Sequence, residues 1–185
     1  MDTLNFKVVP LGQTVLRYEV PLDVYNTINH VYETKYPTLP RANKQLVGKI
    51  EKEHSLFFGG EDSERMKRHN LLPHNVLQWV EKVMKHYLDF NKIKEYNMHL
   101  NSVWVNQMFE HEYNPVHVHQ GTLFTGLSSV MILKLPESFG VEYSSTHQPQ
   151  NGRLQIYPFN GPGMRRSLSA NMDVDYDPIR NRGRN

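Results

Sequence analysis

The residues with the clearest chemical promise are two imidazoles one residue apart, in Tyr113-Asn114-Pro115-Val116-His117-Val118-His119-Gln120-Gly121. On an extended strand, residues two apart project from one face, so His117 and His119 would converge at the separation a chelated metal needs. On a helix the pair would diverge, and helical metal motifs use a spacing of four instead. Pro115 and the β-branched Val116 and Val118 favour the extended reading. The same pattern also fits two ordinary satisfied histidines in a chain that has ten. A nickel or zinc site using His111, His117 and His119 is a further reading, although His111 lies across Asn114-Pro115 and need not face the pair.

Composition narrows the chemistry. There is no cysteine, which removes disulfides, thiolate metal sites and cysteine nucleophiles, so any metal is held by His, carboxylate or carbonyl. At 185 residues, 38% hydrophobic and 22% charged, the chain has the size and balance of one folded domain. A net charge of +2 with scattered basic residues carries no nucleic-acid signal. The start lacks a basic, apolar leader and no apolar run approaches membrane-spanning length, so a cytoplasmic protein is expected.

The elements that would position the histidines follow from periodicity. Residues 4 to 20 read as two short strands around a turn at Pro10-Leu11-Gly12, ended by Pro21. Val24, Ile28, Val31 and Tyr32 have helical spacing closed by Pro37. Residues 41 to 52 read as a weaker helix, and 53 to 73 as a loop with one helical turn at most. Leu77, Val80, Met84 and Tyr87 or Leu88 predict the strongest helix, over 75 to 93. From Asn101 the texture is β, with strands expected at 102–109, 115–119, 127–135, 140–144, 153–157 and 166–174. The expectation is one α+β domain over 1–185. Residues 1–100 form a helical half with a short β start, 101–176 a β-core, and 177–185 a flexible basic tail.

Four stretches in order carry a resemblance over residues 101 to 174. They are Trp104-Val105-Asn106, then Pro115-Val116-His117-Val118-His119, then the Ser-rich Leu127-Ser128-Ser129-Val130 run ending in Leu135-Pro136, and Arg165-Arg166-Ser167-Leu168-Ser169-Ala170-Asn171. Together they resemble the 2-oxoglutarate- and iron(II)-dependent oxygenase family found in marine phages and bacteria. Cupins also use His-x-His but follow it with a Glu, where Gly121, Thr122, Leu123 and Phe124 stand here. The resemblance implies a double-stranded β-helix, or jelly-roll, with the N-terminal helices packed on it and Fe(II) at its open end. It makes His117 and His119 metal ligands and leaves positions on the metal for 2-oxoglutarate and oxygen. By position, Arg165 would clamp the far carboxylate of 2-oxoglutarate with a planar two-pronged donor, and Ser167 would add a third hydrogen bond. If the chain comes from a phage, its compartment would be the host cytoplasm.

The chain departs from the family in three places, one being that His119 stands where the second ligand is usually a carboxylate. The distal iron-binding His, expected about ten residues before Arg165 on the family pattern, is absent, and the nearest upstream candidate for a third ligand is His147. The interval from His117 to Arg165 is also shorter than the family's intervening strands require, implying an incomplete barrel with edges through which copies could pair as a homo-oligomer. Glu110, Glu112 and Glu142 could supply a carboxylate, although Glu110 and Glu112 flank a turn and are expected to be solvated. Two functions therefore stand: a dioxygenase (hydroxylase) acting on a protein side chain or a small molecule, or a non-catalytic binding module derived from the same fold.

Overall fold

The computed structural model describes residues 4–10, 14–43, 47–62, 64, 66–115, 117, 126–137 and 168–175. Strands β1 (Phe6–Pro10) and β2 (Thr14–Tyr18) form the expected hairpin, with Phe6 opposite Tyr18. It is fastened to the second helix by Tyr18 Oη, 2.8 Å from His86 Nδ1, and by Tyr87 Oη donating to the Thr14 carbonyl at 2.8 Å.

Helix α1 (Leu22–Lys35) starts after Pro21, which has no N–H to lose, and passes into a 3-10 turn over Tyr36–Thr38, where Pro37 has no N–H to continue the helical ladder. Its buried residues are Val24, Ile28 and Val31, as the spacing predicts. Helix α2 (His74–Phe90) buries Val76, Val80, Val83, Met84 and Leu88. It closes with Lys92 at φ 58°, the Lys92 N–H bonding the Asp89 carbonyl and the Ile93 N–H the Leu88 carbonyl, each at 3.0 Å.

Five strands make the main sheet: β3 (Lys52–Phe58), β4 (His69–Asn70), β5 (Asn97–Gln107), β6 (Gly126–Met131) and β7 (Leu168–Asp175). Their order is β4-β3-β5-β7-β6, with every neighbouring pair antiparallel. Leu56, Val103, Val105 and Met131 pack with Val24, Ile28, Val31, Leu39, Leu72 and Val76 in one core, so both helices cover the same face. On the other face Trp104 packs with Ala42, Met66 and Phe58.

Several expectations are corrected. Residues 41 to 52 form no helix among the described positions. Arg41 bridges to His54, the Ala42 N–H bonds the Glu53 carbonyl at 2.9 Å, and the Ser55 N–H bonds the Pro40 carbonyl at 2.8 Å. These backbone groups pair sideways with β3 and are lost to a helical ladder. The expected loop over 53 to 73 contains β3 and β4. The β3 strand is buried on both faces, so it lacks the alternation that marks a half-exposed strand. β5 begins earlier than expected, at Asn97, and β6 ends earlier, at Met131. A helical half ending at residue 100 is not observed, because β5 crosses that position and pairs with β3 from the N-terminal half. The fold is mixed α+β, and the described strands close no barrel. The strands expected at 140–144 and 153–157, and the tail, lie outside the described residues. No described helix is long and apolar enough to cross a membrane.

Leu56 is wholly buried where the β3–β5 register slips by one residue, whereas Leu22 is 71% exposed. Leu56→Ala should cost about 3 kcal/mol in urea denaturation and Leu22→Ala less than about 0.5 kcal/mol. Equal costs would contradict the packing described.

Candidate functional site

At one end of the sheet β5 finishes at Gln107, β3 begins at Lys52, β7 begins with Leu168 and β6 finishes at Met131. From Gln107 the chain turns through Phe109–Glu112, with His111 at φ 65°. The Glu112 carboxylate closes the turn by accepting the Phe109 N–H on Oε2 and the Glu51 N–H on Oε1, both at 2.7 Å. Lys49 and Tyr113 then exchange two backbone bonds, of 2.9 and 3.2 Å. Gly48 permits that clasp: its φ is 116°, and a Cβ there would stand 2.9 Å from the Tyr113 carbonyl oxygen. Glu112 is thus a turn-holding residue, in contrast to the solvated charge expected. Glu110 does stay in solvent, its side chain 88% exposed beside His111 at 86%.

The clasp delivers the segment carrying His117. Its ring is exposed, with Nδ1 2.7 Å from the Pro115 carbonyl oxygen. Asn114, Pro115 and His117 belong to no strand, so the same-face argument for His-x-His finds no extended ladder at its first residue. His119, His147, Glu142, Arg165 and Ser167 lie outside the described residues. Leu168, which follows Ser167 directly, pairs with Val105 of β5 and Met131 of β6. The next rows of the register join Trp104, Ser169 and Val130, then Val103, Ala170 and Ser129, then Ser102, Asn171 and Ser128. The described parts of three of the four resembling stretches therefore lie side by side. Among the described residues no three His or acidic side chains gather as a metal site.

Sequence reasoning missed a buried polar group at this same end. Glu53, His54, Ser55 and Asn106 are 2%, 3%, 2% and 6% exposed. Glu53 is directly opposite Asn106 across the β3–β5 pair, which puts the two side chains on one face. Glu53 Oε1, Asn106 Oδ1 and His54 Nδ1 have no hydrogen-bond partner. His54 points to the helix side, its ring 4.8 Å from that of Tyr36 and 6.0 Å from that of Tyr32. Ser55 has partners: its Oγ donates to the Phe57 carbonyl at 3.2 Å and lies 2.9 Å from His69 Nε2, while His69 Nδ1 donates to the Lys67 carbonyl at 2.8 Å. That chain ties β4 to β3.

Burial, reinforced by Glu112 and opposed by Arg41, pushes the Glu53 carboxyl from its ordinary 4.5 up to about 7. Burial, reinforced by Arg41 and Lys52, holds the His54 imidazole down from 6.5 to about 4. The fold therefore favours two neutral side chains, placed back to back on one strand. The only signal for this in sequence was Asn106, within the Trp-x-Asn stretch.

The linkage of the two groups is opposite in sign. Glu53 stabilises the fold fully below pH 4.5, and this is lost as pH rises through about 7; His54 does so above pH 6.5, and this is lost as pH falls through about 4. The two slopes offset each other across the overlap. Glu53→Gln should unmask stability that rises with pH over that range, and His54→Gln stability that falls, each by up to about 1.4 kcal/mol per pH unit. Urea midpoints measured across the range test this; two parallel profiles would refute it.

No family model matches the chain, and no curated protein or solved structure matches it.

Proposed function

We propose that this chain is a 2-oxoglutarate- and iron(II)-dependent oxygenase that hydroxylates a substrate at the end of the sheet where His117 leaves β5. The observation that carries the reading is the placement of β7 between β5 and β6. A late strand inserted between two earlier ones is a non-sequential order of the kind that Greek-key and jelly-roll sheets contain. It brings the Trp-x-Asn, Ser-rich and Ser-x-Asn strands together, and it begins at the end from which the His117 segment departs.

The donor chemistry of His117 fits a metal. A carbonyl can only accept, so Nδ1 donates to Pro115, the second hydrogen bond by which a metal-ligating histidine is oriented when it binds through Nε2. Together with His119 it would hold iron(II), which supplies the redox chemistry that puts one oxygen atom into the substrate and the other into succinate as carbon dioxide leaves. Arg165 would bind the distal carboxylate of 2-oxoglutarate by two charge-assisted bonds, and Ser167 would orient it. Glu112 has both oxygens on backbone N–H groups and Glu110 is solvated, so neither is poised as a third ligand. That observation favours the second reading, a non-catalytic binding module built on the same sheet.

Turnover separates the two. Protein reconstituted with iron(II) and ascorbate should release succinate from 2-oxoglutarate in an oxygen-dependent reaction. His117→Ala and His119→Ala should each lower the rate by at least about tenfold. Arg165→Lys should raise the 2-oxoglutarate KM by about tenfold or more, with a smaller effect on kcat. Succinate release no greater than in His117→Ala would leave the binding module as the function.

A further inference from the structure

We propose that Glu53 and Asn106 form a two-acceptor subsite for an alkylammonium or guanidinium group of the substrate. The inference rests on the oxygenase reading only in calling the ligand a substrate. Glu53 Oε1 and Asn106 Oδ1 are acceptors on facing positions of adjacent strands, both more than nine-tenths buried and both without a hydrogen-bond partner. Buried acceptors are satisfied in folded proteins by a donor, and two side by side call for a group with several N–H bonds. No described cation fills that role. Arg41 is near enough to be felt by the carboxyl, but its Nε donates to Asn43 Oδ1 at 3.0 Å and its Nη2 to the Glu51 carbonyl.

Charge complementarity selects a cation over a neutral donor. Glu112 adds a second negative charge near Glu53 while its oxygens stay on backbone N–H groups. A bound cation would offset both carboxylates and replace the proton that Glu53 otherwise holds. Access is short, because the next positions of the strand alternation towards the sheet end, Glu51 and Met108, are exposed and half-buried respectively.

Calorimetric titration of the full chain with cadaverine, agmatine and the neutral isostere 1,5-pentanediol tests the subsite without any turnover. At least one cation should bind about tenfold or more tighter than the diol, with affinity increasing between about pH 6 and pH 8. Titration near pH 6.5 in buffers of different ionisation enthalpy should show proton release. Glu53→Gln, which keeps the shape of the protonated acid, should abolish the release and weaken binding about tenfold or more. Asn106→Leu should weaken binding but leave the release in place. Failure of both cations to bind, equal binding of the diol, or cation binding unchanged in folded Glu53→Gln would each overturn the proposal. Glu53-dependent cation binding in a protein that turns over no 2-oxoglutarate would sustain the subsite and reject the oxygenase reading.

Discussion

Strand β3 meets water on neither face over Glu53, His54, Ser55 and Leu56, and most of the molecule is arranged around that fact. Leu56 supplies the apolar contact with the helices, at the point where the pairing with β5 slips by one residue. The three polar residues before it are buried by the same pairing, which exchanges hydration for backbone hydrogen bonds to β5 and to the Pro40–Ala42 segment. Desolvation is costly for charge, so the strand tolerates Glu53 and His54 most readily when both are neutral. Burial raises the proton affinity of the first and lowers that of the second.

Glu112 links this strand to the His117 segment. Its two backbone bonds hold the Phe109–Glu112 turn and the start of β3 in one arrangement, and the Lys49–Tyr113 clasp beside Gly48 extends that hold towards Pro115. The same carboxylate raises the proton affinity of Glu53. A single acidic side chain therefore shapes the segment from which His117 emerges and sets the electrostatics of the acceptor pair beneath it. Charge-assisted bonds to two N–H groups are strong enough to make this a fixed feature of the turn.

Elements built on a regular apolar period were legible before any coordinates. Val24, Ile28 and Val31 marked α1; Val80, Met84 and Leu88 marked α2; and Phe6 and Tyr18 belong to the expected hairpin. β3 was illegible because Glu53-His54-Ser55 reads as polar loop, and only partner strands make such residues interior. His117 was visible from residue type and spacing alone. Glu53 with Asn106 was not, because the two are far apart in the chain and become neighbours only through the β3–β5 register.

By itself the sequence determined which chemistry is open to the chain. Without cysteine its metal donors are imidazole, carboxylate and carbonyl, and the His-x-His stretch puts two imidazoles close together in the chain. It also determined the two helices, since a 3.6-residue period is a local property of the chain. The tertiary structure alone decided that β7 lies between β5 and β6, that Glu112 binds backbone instead of water, and that Glu53 faces Asn106 with no partner. Each of these depends on strand register, and register is set by non-local pairing and by burial of one face, which no short window of residues encodes.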